Sequence, residues 1–427
     1  MKIIYNPGRE SWESLLKRPE ISFGTLMATV QKILDDVKDS GDEALKKFSL
    51  EFDGIALDEI RVSETEIRDA KSSVPDSLRK AIQLARTNIE KFHSIQAPGE
   101  ISCETSKGVR VWQRSVPIDR VGLYIPGGTA PLLSTVLMLG VPAQLAGCPE
   151  IVLCTPPGKD GKIDPSILYI ADLLGIKNIF KAGGAQAIGA MSYGTESIPR
   201  VYKIFGPGNQ YVQAAKMIVS TENIAIDMPA GPSELAVIAD RTSNPSFIAS
   251  DLLSQAEHGT DSQVLLVTTD EEILKNVRTE IGRQVQMLPR KEIAERSLEN
   301  SMLILLATDD EMIDIVNLYS PEHLIIVTSD NQRISEGIRN AGSVFLGEFT
   351  PESAGDYASG TNHTLPTNGN ARAYSGVNLG SFMKTISFQE ISREGLINIG
   401  PAIEKLASAE ALEAHRRAIS IRLAKTK

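Results

Sequence analysis

Histidine and cysteine are both scarce in this chain of 427 residues, and the shortage of cysteine already narrows the class of protein. The only cysteines are Cys103, Cys148 and Cys154. They are too few and too irregularly spaced for a disulfide framework or a cysteine-rich zinc knuckle. Free thiols are typical of a reducing compartment, so we expect a cytoplasmic protein.

Long apolar runs and basic clusters are also missing from the sequence. No run approaches the roughly 20 apolar residues that cross a membrane, and the first residues lack an apolar stretch with a cleavage site. The formal net charge of −10 argues against a polyanionic partner. The sequence therefore predicts a soluble, unexported protein that binds neither membranes nor nucleic acid.

What the chain does contain is enough apolar sequence, 42% of its residues, for two or more packed domains. Short apolar runs alternate with glycine turns and helix-like segments, which is typical of parallel sheets. A first series lies at 121–125, 151–154, 179–181, 201–205 and 224–227, and a second at 235–239, 264–268, 303–306, 324–327 and 344–346. We predict an α/β fold with two tandem doubly wound, incomplete Rossmann-like domains.

The pattern outside these series is helical, and it suggests where the domains begin and end. Ser63 and Glu66 form a capping-box pattern, and an apolar periodicity runs on towards Pro98. His93 lies in this helical region without a reactive neighbour, so we expect a structural role for it. We assign 1–20 to an N-terminal extension, 21–123 plus 234–377 to a first wound domain, 124–233 to a second, and 378–427 to a helical tail.

Three glycine turns lie between predicted strands and helices, at 126–128, 183–186 and 206–209. Free amides at a helix start can hold phosphate, although the third glycine of the usual dinucleotide fingerprint is absent here. Tyr124, Gln186 and Asn209 stand at the carboxyl ends of predicted strands, where wound sheets bind ligands. The alternative is that the glycines only tighten turns and that these three residues stabilise them.

Four of the five histidines stand beside polar residues, in the strings at 255–258, 322–323, 362–363 and 413–415. Imidazole binds divalent metals and transfers protons near neutral pH. Four of the five histidines lie in the carboxyl-terminal half of the chain. This distribution suggests a single catalytic centre.

Two of these strings have spacings that suit particular chemistry. Gln255 and His258 are three apart on a predicted helix and would share a face. Loop Asp356 and tail His415 would complete a nitrogen and oxygen set suited to zinc or a neighbouring divalent ion. Adjacent Glu322 and His323 can serve one ligand only from irregular backbone, which Pro321 favours, and the carboxylate would make the histidine a ready base. The alternative for each residue is an ordinary capping or surface role.

Five strings in their order along the chain closely resemble the histidinol dehydrogenase family: RVGLYIPGG at 120–128, IFGPGN at 204–209, IDMPAGPSE at 226–234, LSQAEHG at 253–259 and PEH at 321–323. Members of that family oxidise L-histidinol to L-histidine, the last step of histidine biosynthesis. They use two hydride transfers to two NAD and pass through a bound aldehyde. Ser243 and Ser320 stand where the family commonly has alanine, and neither is a candidate for chemistry.

The resemblance implies a role for each matching residue. The zinc ligands would be Gln255, His258, Asp356 and His415. The acid–base pair would be Glu322 and His323. The substrate would be surrounded by the zinc ligands, by His323, and by Ser134, Ser233, His363 and Glu410. The NAD contacts would be Tyr124, Gln186 and Asn209.

The resemblance also implies an assembly and a mechanism. The fold would be similar to that of aldehyde dehydrogenases, with zinc and most catalytic residues in the first wound domain and NAD in the second. Each subunit of a homodimer would hold one zinc ion, and the tail would bring Glu410 and His415 to the partner's site. His323 would take the hydroxyl proton, Glu322 would activate water for the second oxidation, and zinc would anchor the substrate.

Three other functions stay open at this point. A paralogous zinc- and NAD-dependent dehydrogenase would act on another small alcohol. An aldehyde dehydrogenase would need a cysteine nucleophile, but Cys148 and Cys154 flank an apolar run and are expected to be buried. A metal-stabilised binding or assembly protein would use the histidines only to fix the tail to a partner.

Overall fold

The computed structural model describes residues 1–18, 23–127, 132–229 and 231–425. Gly128, part of the first glycine turn, lies outside these ranges. The strands are, in chain order, β1 (Lys2–Tyr5), β2 (Ile101–Ser106), β3 (Val109–Pro117), β4 (Arg120–Tyr124), β5 (Glu150–Thr155), β6 (Asn178–Lys181), β7 (Lys203–Phe205), β8 (Ala225–Ile226), β9 (Glu234–Ala239), β10 (Gln263–Thr268), β11 (Met302–Leu305), β12 (His323–Val327), β13 (Ser343–Leu346) and β14 (Met383–Ile391).

The helices connect these strands and cover the sheets. They are α1 (Trp12–Leu15), α2 (Phe23–Phe48), α3 (Glu64–Ser73), α4 (Asp76–Ser94), α5 (Leu133–Ala146), α6 (Pro165–Leu173), α7 (Gly184–Tyr193), α8 (Gln210–Ser220), α9 (Pro245–Ala256), α10 (Glu271–Gln284), α11 (Lys291–Glu299), α12 (Asp309–Tyr319), α13 (Asn331–Glu336), α14 (Glu352–Tyr357), α15 (Arg393–Ala409) and α16 (Glu413–Ala424). Ser63 caps α3 in a complete capping box with Glu66, as predicted. None of the described helices is long and apolar enough to cross a membrane.

The larger parallel sheet has the strand order β1-β11-β10-β9-β12-β13. Its central strands β9 and β10 are buried throughout and mostly apolar because helices cover both of their faces. Helices α9, α10 and α11 pack on one face. Trp12 and helix α12 pack on the other. The predicted doubly wound arrangement is therefore confirmed for this half of the protein.

The smaller parallel sheet has the order β6-β5-β4-β7-β8 and is also covered on both faces. Helices α4, α5 and α6 pack on one face and α2, α7 and α8 on the other. The predicted division placed residues 21–123 with the larger sheet, and the packing of α2 and α4 corrects it. Apolar α2 residues such as Val30 and Leu34 pack in the same cluster as Val152 of β5.

An antiparallel ribbon of β14, β3 and β2 projects from the smaller sheet. Strand β14 pairs with β3 from Met383 to Ile391, within the tail that was predicted to be helical. Beyond it, α15 and α16 pack against each other, with Leu423 close to Gly400. No residue of α16 is buried in the single chain. The tail is thus joined to the body through the ribbon.

Candidate active site

A cleft of about 1290 Å³ lies where the two parallel sheets meet. Asn209 lines it from the smaller sheet, and Ser233 and His258 line it from the larger one. The larger sheet faces this region with the amino ends of its strands, since Ser233 precedes β9 and His323 begins β12. Residues that are distant in the sequence therefore come together at one edge of the fold.

Glu322 enters the site from the irregular turn before β12, whereas His323 is the first residue of that strand, so only Glu322 lies on the irregular backbone that was predicted for both. Ser320 ends α12 in the left-handed conformation with φ of 55°, and Pro321 and Glu322 follow before β12 starts. Glu322 is buried, and its Oε2 accepts a hydrogen bond of 3.0 Å from the backbone N–H of Glu234. The same oxygen lies 3.8 Å from Nδ1 of His323.

The imidazole of His323 lies between carboxylates and has only 4% of its side chain exposed. Oε1 of Glu352 lies 3.5 Å from Nδ1, and Oδ1 of Asp356 lies 3.7 Å from Nε2. Neither ring nitrogen has a hydrogen-bond partner within the described residues. Burial lowers the pKa of His323 to about 3, with a smaller contribution from the charges of His258 and His363. The ring is therefore neutral near pH 7 in the single chain.

The carboxylates around His323 are held away from water. Burial raises the pKa of Glu322 and of Glu352 well above the usual range, and the neighbouring carboxylates add to the effect. Burial raises the pKa of Asp356 to about 7. A cluster of buried acids, in which Oε1 of Glu352 has no partner among the described residues, is an environment that a bound cation would stabilise.

Gln255 and His258 approach the same region, although not from one helix. Helix α9 ends at Ala256, so His258 lies in the turn that follows, which corrects the predicted placement. Nε2 of Gln255 lies 3.5 Å from Nδ1 of His258, and the buried Oε1 of Gln255 has no partner in the described chain. His258 is exposed to the cleft, yet desolvation by the surrounding protein lowers its pKa, with a contribution from Arg290.

The residues present fit a metal ion in part. Within the described ranges, no three His, Cys, Asp or Glu side chains form a metal-binding group. However, Gln255 presents an unpaired oxygen and lies 3.5 Å from His258, and Asp356 lies beside His323 and His363. The fourth candidate ligand, His415, lies exposed on α16. This set lacks one ligand in the single chain.

The other substrate candidates divide between the buried cluster around Asp356 and the tail. Nδ1 of His363 lies 3.9 Å from Oδ1 of Asp356, and its Nε2 lies 3.3 Å from Oγ1 of Thr135. Ser134, next to Thr135 on α5, is buried. Burial lowers the pKa of His363 to about 4. Glu410 is exposed at the end of α15, so the single chain leaves it outside the cluster.

A second pocket of about 990 Å³ opens at the carboxyl edge of the smaller sheet, and Tyr124, Gln186 and Asn209 all line it. The backbone N–H of Gly184 donates a hydrogen bond of 3.0 Å to Oη of Tyr124. Asn209 caps α8 by accepting from two backbone amides. All three residues therefore line the pocket, and Tyr124 and Asn209 also make hydrogen bonds within the turns.

The turn at 206–209 depends on glycine and on a buried ion pair that sequence reasoning missed. Gly206 has φ of 133°, and an added Cβ would lie 2.1 Å from the carbonyl oxygen of Tyr124. Lys216 and Asp227 form an ion pair in which each side chain is 1% exposed. Lys216 donates to the carbonyl of Gly206, and the Gly206 N–H donates to Asp227. A lysine inside the apolar pattern of α8 was the available signal.

The cysteines offer no activated nucleophile. Cys154 is buried in β5, and burial raises the pKa of its thiol. Burial also raises the pKa of Cys148 to about 11, and its Sγ lies 3.7 Å from the carbonyl oxygen of Phe382. Covalent catalysis needs a thiolate, so the structure disfavours the aldehyde dehydrogenase alternative.

Replacing the cysteines is expected to leave turnover nearly unchanged. For Cys148→Ser and Cys154→Ala we expect kcat to stay within about threefold of the parent, because loss of a nucleophile would instead remove about four orders of magnitude or more. The exposed Cys103→Ser is the matched control. Steady-state kinetics would contradict us if either buried variant lost nearly all turnover while its thermal midpoint stayed unchanged.

The fold and the site together define a class of α/β enzyme that has a buried histidine–carboxylate centre, a cleft lined by Ser233 and His258, and a glycine-lined pocket. The family model for histidinol dehydrogenase matches residues 16–423. The chain is 57% identical over 423 residues to a histidinol dehydrogenase of Bacteroides thetaiotaomicron, covering 99% of both chains. It is 50% identical to the chloroplastic histidinol dehydrogenase of Arabidopsis thaliana, covering 96% of this chain and 88% of that one.

A solved structure agrees with these sequence comparisons. The crystal structure of histidinol dehydrogenase from Elizabethkingia anophelis superposes with a TM-score of 0.97 at 55% identity, covering 100% of this chain and 98% of the other. The chain belongs to the histidinol dehydrogenase family and is an oxidoreductase. The resemblance seen in the sequence strings is confirmed.

Proposed function

We propose that this protein oxidises L-histidinol to L-histidine, the last step of histidine biosynthesis, and that it uses zinc and NAD in a cytoplasmic homodimer. The observation that carries the proposal is His323, a neutral and buried imidazole whose two nitrogens lack hydrogen-bond partners among the described residues. Family membership supports the choice of substrate. The free cysteines fit a reducing cytoplasm.

His323 acts as the base in both oxidations. Its neutral ring takes the proton of the substrate hydroxyl as hydride leaves the carbinol carbon, for which a bound NAD would be the acceptor. His323 releases that proton to solvent, and Glu322 activates water to attack the bound aldehyde. His323 then takes a proton from the resulting hydrate as a second hydride leaves, for which a second NAD would be the acceptor. Burial raises the pKa of Glu322, which makes it a stronger base towards water than an exposed glutamate.

Gln255, His258 and Asp356, together with the partner's His415, hold zinc in this proposal. The unpaired Oε1 of Gln255 and the isolated carboxylate of Asp356 are suitable oxygen donors. When bound, zinc anchors the substrate through its nitrogen atoms. Ser233 binds the substrate from the cleft, His363 and Ser134 bind it from the buried cluster around Asp356 and Thr135, and Glu410 reaches it from the partner's tail.

Tyr124, Gln186 and Asn209 bind NAD in the pocket of the smaller sheet. Its glycine turns bring backbone amides close to a ligand, which is the usual way in which wound sheets hold phosphate. This pocket and the cleft share Asn209 in their linings. A hydride acceptor in the pocket would thus reach a substrate in the cleft.

A homodimer would supply the residues that a single chain leaves apart from the site. Helix α16 carries His415 and buries none of its residues, and Leu406, Leu412 and Ile421 of the tail are exposed. Exposed apolar side chains in a cluster are typical of a surface that another subunit covers. The tail therefore completes the partner's active site in this proposal.

Counting NADH tests the proposed reaction. With limiting L-histidinol, excess NAD and added zinc, we expect two NADH for each histidinol consumed, because the aldehyde stays bound for the second oxidation. Absorbance at the nicotinamide band gives NADH, and chromatography gives histidinol and histidine. One NADH per substrate would indicate a plain alcohol dehydrogenase. No reduction at saturating substrate would favour a binding or assembly protein.

A further inference from the structure

Glu352 is a buried carboxylate beside the proposed base, and no pattern in the sequence marks it. Its side chain is 1% exposed and its Oε1 has no partner among the described residues, although Nδ1 of His323 lies only 3.5 Å away. We propose that Glu352 is a positioning residue that holds His323 through Nδ1 and leaves Nε2 free to take protons. This inference rests on the proposed function, in which His323 is the base.

Helix α14 explains why two carboxylates meet one imidazole. Glu352 and Asp356 are four residues apart, and residues with that spacing lie on the same face of a helix. Glu352 lies beside Nδ1, and Asp356 lies beside Nε2. The two ends of the ring therefore have different partners. If Asp356 binds a metal ion, Glu352 still holds Nδ1.

The hydrogen bond proposed here satisfies two buried groups at once. An unpaired buried polar atom is unfavourable, and both Oε1 of Glu352 and Nδ1 of His323 are in that condition. A small rotation that shortens the 3.5 Å separation would let Nδ1–H donate to Oε1. The other carboxylate oxygen lies 3.3 Å from Oγ of Ser254, a hydroxyl that also lies 2.8 Å from the carbonyl oxygen of Asp251.

Glu322 is the competing partner for Nδ1, but its geometry is poorer. Its Oε2 lies 3.8 Å from Nδ1 and already accepts a hydrogen bond from the backbone of Glu234. Glu352 is closer and has an unengaged oxygen. The two glutamates thus have separate tasks, because a Glu352 that holds the ring leaves Glu322 available to activate water. A carboxylate on one nitrogen fixes the tautomer that has its lone pair on the other.

Variants of Glu352 test this role. In the zinc-loaded enzyme we expect Glu352→Leu to lower kcat by about 100-fold or more, because a mispositioned base loses most of its contribution. Glu352→Gln, whose amide oxygen can still accept from Nδ1–H, should recover at least about a tenth of parent kcat. The KM values for histidinol and NAD and the zinc content should stay within about twofold in both. Glu348→Gln, an exposed change four residues away, is the control.

Chemical rescue separates positioning from a merely structural role. Formate should raise the kcat of Glu352→Ala by about tenfold or more by restoring an acceptor in the vacated space, whereas chloride should not. The inference is overturned if the leucine variant keeps parent kcat, if its loss is entirely in KM or zinc content, or if formate has no effect on a folded alanine variant. A parent enzyme that makes no NADH would instead refute the proposed function.

Discussion

His323→Ala is expected to lower kcat by about a thousand-fold or more while zinc stays bound, since general base catalysis by a positioned imidazole contributes about 100- to 10,000-fold and this base serves both oxidations. His323 is not among the proposed zinc ligands, and its ring is neutral in its buried site. Steady-state kinetics gives kcat, and atomic emission on the dialysed protein gives the zinc content.

Two other histidines provide controls for that variant. His258→Ala should lose both zinc and turnover, because it removes a proposed ligand. His93→Gln should keep turnover, since His93 is buried on α4 and contacts Gln96 with a separation of 3.0 Å. Near-parent activity in His323→Ala would show that the base is another residue. Loss of zinc from the same variant would show that His323 belongs to the metal site.

A heterodimer built from two inactive variant chains is expected to be active. If the tail acts on the partner subunit, a heterodimer of His258→Ala and His415→Ala chains contains one fully native site and one doubly altered site. Its activity should therefore be about half that of the parent dimer, by the symmetry of a two-site assembly. The heterodimer can be isolated by giving the two chains different affinity tags.

The control for this experiment uses two changes in the body of the chain. A heterodimer of His258→Ala and Asp356→Ala chains has one altered ligand in each site, so it should remain inactive. If His415 acted within its own chain, the heterodimer with His415→Ala would be inactive too. Because α16 is exposed in the single chain, we expect its His415 to enter the partner subunit's site. The two heterodimers together thus decide which chain supplies the fourth ligand.

Much of the fold could be predicted because its strands are short apolar runs with clear ends. The predicted strand at 264–268 corresponds to β10, and that at 324–327 corresponds to β12. Strands β1 and β14 were missed for different reasons. Lys2–Tyr5 is short and lies at the sheet edge beside β11. Met383–Ile391 belongs to a ribbon with exposed faces, so burial left little pattern in its sequence.

The helices at 23–94 show a limit of local patterns. Their apolar faces predict that they pack on a sheet, but the sequence does not say which sheet. They precede β4 and pack on the smaller sheet that contains it, whereas the predicted division grouped them with the larger sheet. Which sheet the helices cover depends on tertiary packing between distant segments, such as that of Val30 and Val152 within one hydrophobic cluster.

The candidate site was only partly predictable for a similar reason. Histidine is rare, so the short motifs that contain it are easy to recognise in the sequence. A single glutamate among 54 acidic residues is not. Glu352 became visible only when the fold brought it next to His323. The predicted strand at 324–327 already put His323 at the amino end of β12, although ligands of wound sheets usually bind at carboxyl ends.

The four hydrophobic clusters of the described residues contain nothing beyond Met383. A chain that ended after Ile391 would retain these cores and the ribbon, yet it would lack Glu410 and His415. Cellular quality control acts on unfolded chains, so a shortened product of this kind would escape removal. Abundance of the folded body is therefore a poor measure of how much competent enzyme a cell contains.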